Sequence, residues 1–97
     1  MNNVYIMSAN RSAIGGFGGT LKNHCPVDLG TLVAKEAIAR SGYEANEVEH
    51  AVFGNVIHTE PRDMYVSRVI ALQAGMDKES AALTVNRLCG SGLQAIV

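Results

Sequence analysis

Hydrophobic residues fall along the chain in alternating short runs and helical stripes. Val4 to Ala9, VYIMSA, is apolar on both alternating faces, which suits a strand covered on both sides better than one facing water. His50 to Ile57, HAVFGNVI, and Ala82 to Leu88, ALTVNRL, are two further apolar runs of strand length. Between the first two, Leu29, Leu32, Val33 and Ala37 recur at helical spacing. Asp28 stands where an N-cap belongs, Val27 and Leu32 are spaced as a hydrophobic staple, and Ser41-Gly42 supplies the stop. A second helix runs through Val66, Val69, Ile70 and Ala74, with Asp63 as its cap and Gly75 as its end. GSGLQAIV opens a third after Cys89.

The resulting order, β-α-β-α-β-α with apolar strands and helical crossovers, predicts an α/β fold with a mostly parallel sheet covered by helices. The last helix has barely two turns, and its Leu93, Ile96 and Val97 need a partner surface. The chain is therefore expected to continue past Val97, with residues 1–97 forming the amino-terminal part of a larger domain.

Composition narrows the function. The chain has 97 residues, 47% hydrophobic and 18% charged, the composition of one small globular domain. A formal net charge of -1 offers no basic footprint for nucleic acid. The apolar run at the start is too short for a signal peptide, and no window reaches the length of a membrane span, so a cytoplasmic protein is expected. Cys25 and Cys89 match neither a CxxC pair nor a metal-ligand spacing, and both are read as free thiols.

Cys89 carries the sharpest chemistry. Sites in open parallel sheets gather at the carboxyl ends of the strands, where Cys89 falls. A helix opening just after it favours a thiolate. Gly90 and Gly92 leave room for an acyl group, and the local N–H groups suit an oxyanion. The competing reading is a buried cysteine filling a strand-to-helix corner. For Cys25, beside Pro26 with no helix expected to open directly on it, the structural reading is preferred. His58, at the carboxyl end of the second strand, sits on the same edge as Cys89, but a solvated loop histidine is the commoner case, as it is for His50 and His24. The glycines of GGFGG, Gly15 to Gly19, lack a GK[ST] ending and are read as turn-makers. TEPRD, Thr59 to Asp63, reads equally as solvated surface and as a pocket wall or subunit contact.

RSAIGGFGG at 11–19, FGNVIHTEPRDMYVSR at 53–68 and ALTVNRLCGSGLQAI at 82–96 together resemble the amino-terminal region of the thiolases, in the acetyl-CoA acetyltransferase and β-ketothiolase branch. The resemblance implies a thiolase-like fold whose first strand lies centrally in the sheet. It also implies that Cys89 is the nucleophile that takes an acyl group from acyl-CoA. It implies further that CoA thioesters are substrates, that no cofactor is permanently bound, and that the protein is a homodimer or homotetramer paired through the third strand. The family's activating histidine, its second cysteine and most CoA contacts would lie beyond Val97. A ketoacyl synthase-type condensing enzyme, a cysteine hydrolase and a non-catalytic fragment remain the alternatives.

Overall fold

The computed structural model describes residues 2–97. Helix α1 spans Pro26–Ser41, strand β1 His50–Gly54, helix α2 Val66–Gln73, strand β2 Ala81–Val85 and helix α3 Ser91–Ile96. Short 3-10 turns occupy Ala45–Glu47 and Pro61–Tyr65. The two strands pair in parallel, His50 opposite Ala81 through Gly54 opposite Val85.

Strand alternation sorts the side chains into two layers. Ala51 and Phe53 point toward α2, where Ala51 packs with Ala71 and Met76, and Phe53 touches the cluster of Val27, Val66 and Ile70. His50, Val52, Leu83 and Val85 face the other way and line a groove with α3. The sheet thus lies between α2 with α1 behind it on one side and α3 on the other. Gly30 lets α1 and α2 approach, because a Cβ there would overlap the Ile70 side chain.

A buried polar knot ties α2 to both strands. The Ser67 hydroxyl donates to the Leu83 carbonyl at 2.8 Å and accepts the Phe53 N–H at 3.0 Å, while Thr84 Oγ1 donates to it at 2.9 Å and accepts the Ser67 N–H at 3.1 Å. Every member of the knot is partnered, so it fixes the height of α2 on the sheet instead of merely adding apolar contact.

Three expectations need correction. Val4–Ala9 forms no strand: no ladder partner lies beside it among the described residues. The segment instead follows α1, with Ser8 Oγ donating to the Ala37 carbonyl at 2.7 Å and Asn10 Nδ2 to the Val33 carbonyl at 3.2 Å. Apolar alternation marks a face suited to burial, but a strand also needs a neighbour's backbone groups. The N-cap of α1 is Cys25, not Asp28, which lies in the first turn. Pro26, with its fixed φ and missing N–H, takes the first helical position. Helix α1 therefore opens directly on Cys25, contrary to expectation. Finally, Asp63 does not cap α2; it is the third residue of the preceding 3-10 turn and forms a capping box with Glu60.

Candidate active site

β2 ends at Val85, and the chain turns sharply through Asn86–Gly90 before α3 begins. Asn86 starts this turn, its Oδ1 accepting the Leu88 N–H at 3.0 Å. Leu88 has φ of +48°, the left-handed region that a leucine rarely enters. Two backbone bonds, from Gly90 N–H to the Arg87 carbonyl at 2.9 Å and from Ser91 N–H to the Leu88 carbonyl at 3.1 Å, close the turn around Cys89. The Ser91 hydroxyl adds a third clamp, accepting the Arg87 N–H at 2.8 Å and donating to the Leu88 carbonyl at 2.7 Å.

The thiol of Cys89 is left exposed at the tip. Its own N–H has no acceptor among the described residues, so a free N–H and an exposed thiol lie side by side. Gly90 is the N-cap of α3, which puts Cys89 one residue outside the helix.

β1 supports the turn from beneath. A Cβ on Gly54 would come within 2.8 Å of the Ser91 carbonyl carbon and Cβ, so only a glycine lets the first turn of α3 seat on the carboxyl end of β1. Parallel pairing places Gly54 opposite Val85, and the segments leaving both strands share one edge of the sheet.

On that edge, the loop from Asn55 to Asp63 is stapled by its own hydrogen bonds, although Val56 to Thr59 are exposed. Asn55 Nδ2 bonds the Asp63 carbonyl at 3.2 Å and meets His58 Nδ1 at 2.9 Å. Asp63 is fully buried. Its Oδ2 accepts the Thr59 N–H and hydroxyl, each at 2.8 Å, and the Glu60 N–H at 3.2 Å. Burial pushes the Asp63 carboxyl up, but the donors of Thr59 and Glu60, with the nearby His58, outweigh it and hold the group below the usual carboxylate range.

A folded-state value below the unfolded one means that Asp63 stabilises the fold fully above about pH 4 and loses that contribution as pH falls through the lowered value. Asp63→Ala strands three donors and is expected to cost about 2–4 kcal/mol at neutral pH. The deficit should shrink in acid. Urea unfolding of the full-length variant across pH checks this, and a deficit that grew on acidification would contradict it.

The remaining candidates scatter. His58 is exposed in the loop beyond β1, and among the hydrogen bonds of the described residues none joins it to Cys89. His50 opens β1, at the opposite end of the strand from the Cys89 turn, and His24 lies in the loop before α1. Gly16 and Gly19 close a tight turn, with Gly19 N–H bonded to the Gly16 carbonyl at 2.9 Å, and no helix opens there. Cys25 is half-buried against the Val27 cluster, with Arg62 Nη2 at 3.6 Å from its sulfur. No group of three or more His, Cys, Asp or Glu side chains is placed to hold a metal ion among the described residues, and no helix there is long and apolar enough to cross a membrane. Asn86, Ser91 and Gly54 were not singled out from sequence. An Asn at the start of a turn and a Ser in a first helical turn are readable signals of local clamping.

A family model described as "Thiolase, N-terminal domain" matches residues 4–97. The chain is 58% identical to beta-ketothiolase BktB of Cupriavidus necator over 97% of its own length and 24% of that protein. It is 37% identical to the human mitochondrial 3-ketoacyl-CoA thiolase, over 100% of this chain and 24% of that one. The crystal structure of Acat5 thiolase from Ascaris suum in complex with coenzyme A matches with a TM-score of 0.89 at 37% identity, covering 95% of this chain and 24% of that chain. The chain thus spans about a quarter of the length of these relatives.

Proposed function

Because this chain belongs to the thiolase family, we propose that it supplies the nucleophile of an acyltransferase that joins two acyl-CoA molecules in a reversible Claisen condensation. The Cys89 thiolate attacks a thioester carbonyl, the CoA thiolate leaves, and an acyl-enzyme forms. A second acyl-CoA, deprotonated at its α-carbon, attacks that acyl group, releasing a 3-ketoacyl-CoA and restoring the thiolate. In reverse, CoA cleaves the ketoacyl chain. A thiolate suits both directions because it attacks well and leaves well when one thioester replaces another.

The observation that carries this reading is the exposed Cys89 at the tip of a turn pinned by Asn86, Ser91 and two backbone bonds, at the carboxyl ends of the parallel strands. The Cys89 N–H is the one oxyanion donor this chain would contribute. CoA recognition is supported by the relative solved with coenzyme A. Action in fatty acid metabolism and in the cytoplasm belongs to the same proposal, although the human relative is mitochondrial.

The test is thiolysis by the full-length protein. Acetoacetyl-CoA with CoA is expected to yield acetyl-CoA. Release of free acid without a need for CoA would make the protein a hydrolase, and a requirement for an acyl carrier protein would make it a ketoacyl synthase.

Homo-oligomer formation through β2 is also proposed. Among the described residues β2 pairs with β1 alone, which leaves its other edge open to a second copy. The full-length protein should run at twice or four times its chain mass, and a fully active monomer would contradict this.

A further inference from the structure

Ser91 is 5% exposed, and its hydroxyl bonds the two residues immediately before Cys89. It gives the Arg87 N–H its acceptor and pulls the Leu88 carbonyl toward α3, across the residue that holds the left-handed φ. The position of this hydroxyl is not local to the turn, because Ser91 is wedged against Gly54 on β1. Sheet, turn and helix therefore meet at one residue, its backbone and Cβ against the sheet and its hydroxyl on the turn.

We propose that Ser91 is the positioning residue for Cys89: its hydroxyl transmits the geometry of the sheet to the turn, so that the sulfur and the Cys89 N–H face the same thioester carbonyl. The proposal rests on the reading of Cys89 as the nucleophile. Removing the hydroxyl leaves the Arg87 N–H without its partner and frees Leu88 to relax from its left-handed conformation. The thiol would remain present but would meet the carbonyl at a wrong angle. A serine that only capped the helix would instead affect unfolding and leave acylation untouched.

The experiment uses the full-length protein and acetyl-CoA, with rapid quench and tandem mass mapping of acetyl-Cys89. Ser91→Ala is expected to slow acetylation of Cys89 by about tenfold or more, the scale of a small misplacement of reacting groups, while the KM for acetyl-CoA stays within about twofold. Ser67→Ala, which opens the knot under α2, should lower the melting temperature and leave the Cys89 acetylation rate unchanged. A folded Ser91→Ala that acetylates at the wild-type rate, or that changes only KM, overturns the proposal alone. If wild-type Cys89 is never acetylated, the nucleophile reading falls and takes this proposal with it. Should Ser91→Ala not fold, Ser91→Cys replaces it, since a thiol is nearly isosteric but a weak acceptor. A slowed Cys89 in that variant supports the proposal, and a wild-type rate overturns it.

Discussion

Replacing Cys89 with alanine in the full-length protein is expected to abolish CoA-dependent acyl transfer, by about 10⁵-fold or more in kcat, the scale seen when a covalent nucleophile is removed. Cys89→Ser should fare little better. A serine hydroxyl is scarcely ionised near neutral pH, and the alkoxide it would need is a poor leaving group when the acyl chain passes to carbon or back to CoA. Neither change should harm the fold, because the Cys89 side chain is exposed and substitutions at such positions fall within about 0.5 kcal/mol. The combination of lost turnover and unchanged melting temperature is the signature to look for. Cys25→Ala should give the reverse pattern, since Cys25 packs against the Val27 cluster and takes no part in the turn around Cys89. Its turnover should stay within about twofold while its melting temperature falls.

Residues 1–97 expressed alone are expected neither to catalyse nor to unfold in one cooperative, monomeric transition. The two strands leave both outer edges of the sheet unpaired among the described residues. Val4, Ile6, Ile14 and Phe17 stand more than four-fifths exposed, at 95%, 81%, 84% and 112%. On the other side of the sheet, Leu93, Ile96 and Val97 of α3 and its end are also exposed. Apolar surface beside open strand edges is a template for self-association. The core is correspondingly small, two clusters each built on three buried side chains that meet at Phe53. A domain of this size has little stability to spare. A sharp thermal transition measured by circular dichroism, with a monomer peak on gel filtration, would contradict the expectation and favour a self-contained binding module.

Helix α2 is the most legible element, because its spacing of Val66, Val69, Ile70 and Ala74 is set by burial: Val66, Ile70 and Ala74 are buried and Val69 is half-buried against the same cluster. Gly42 and Gly75 were legible for a related reason: both adopt positive φ just past a helix, where a side chain would strain the backbone. The start of α1 was misread because Asp28 and Pro26 are both good first-turn residues, and the backbone restriction of proline decides between them. Val4–Ala9 was misread because its pattern specifies what the side chains want and not which backbone groups lie alongside.

At the candidate site the sequence pointed to Cys89 and to the glycines beside it, but not to what holds them. The clamps of Asn86 and Ser91 depend on Leu88 turning left-handed, which no side-chain pattern announces. The need for Gly54 arises only when α3 folds back onto β1, a contact between residues 37 positions apart. Thr59 to Asp63, an even choice between surface and pocket wall in the sequence, is a stapled turn around a buried carboxylate.

In the proposed reaction the Asn86–Gly90 turn presents Cys89 as the acyl acceptor. Brief incubation of the full-length protein with acetyl-CoA, acid quench and peptide mass analysis test it most directly. One acetyl group is expected, on Cys89, lost on addition of CoA and absent from Cys89→Ala. Acetylation found on Cys25, or persisting in Cys89→Ala, would contradict it.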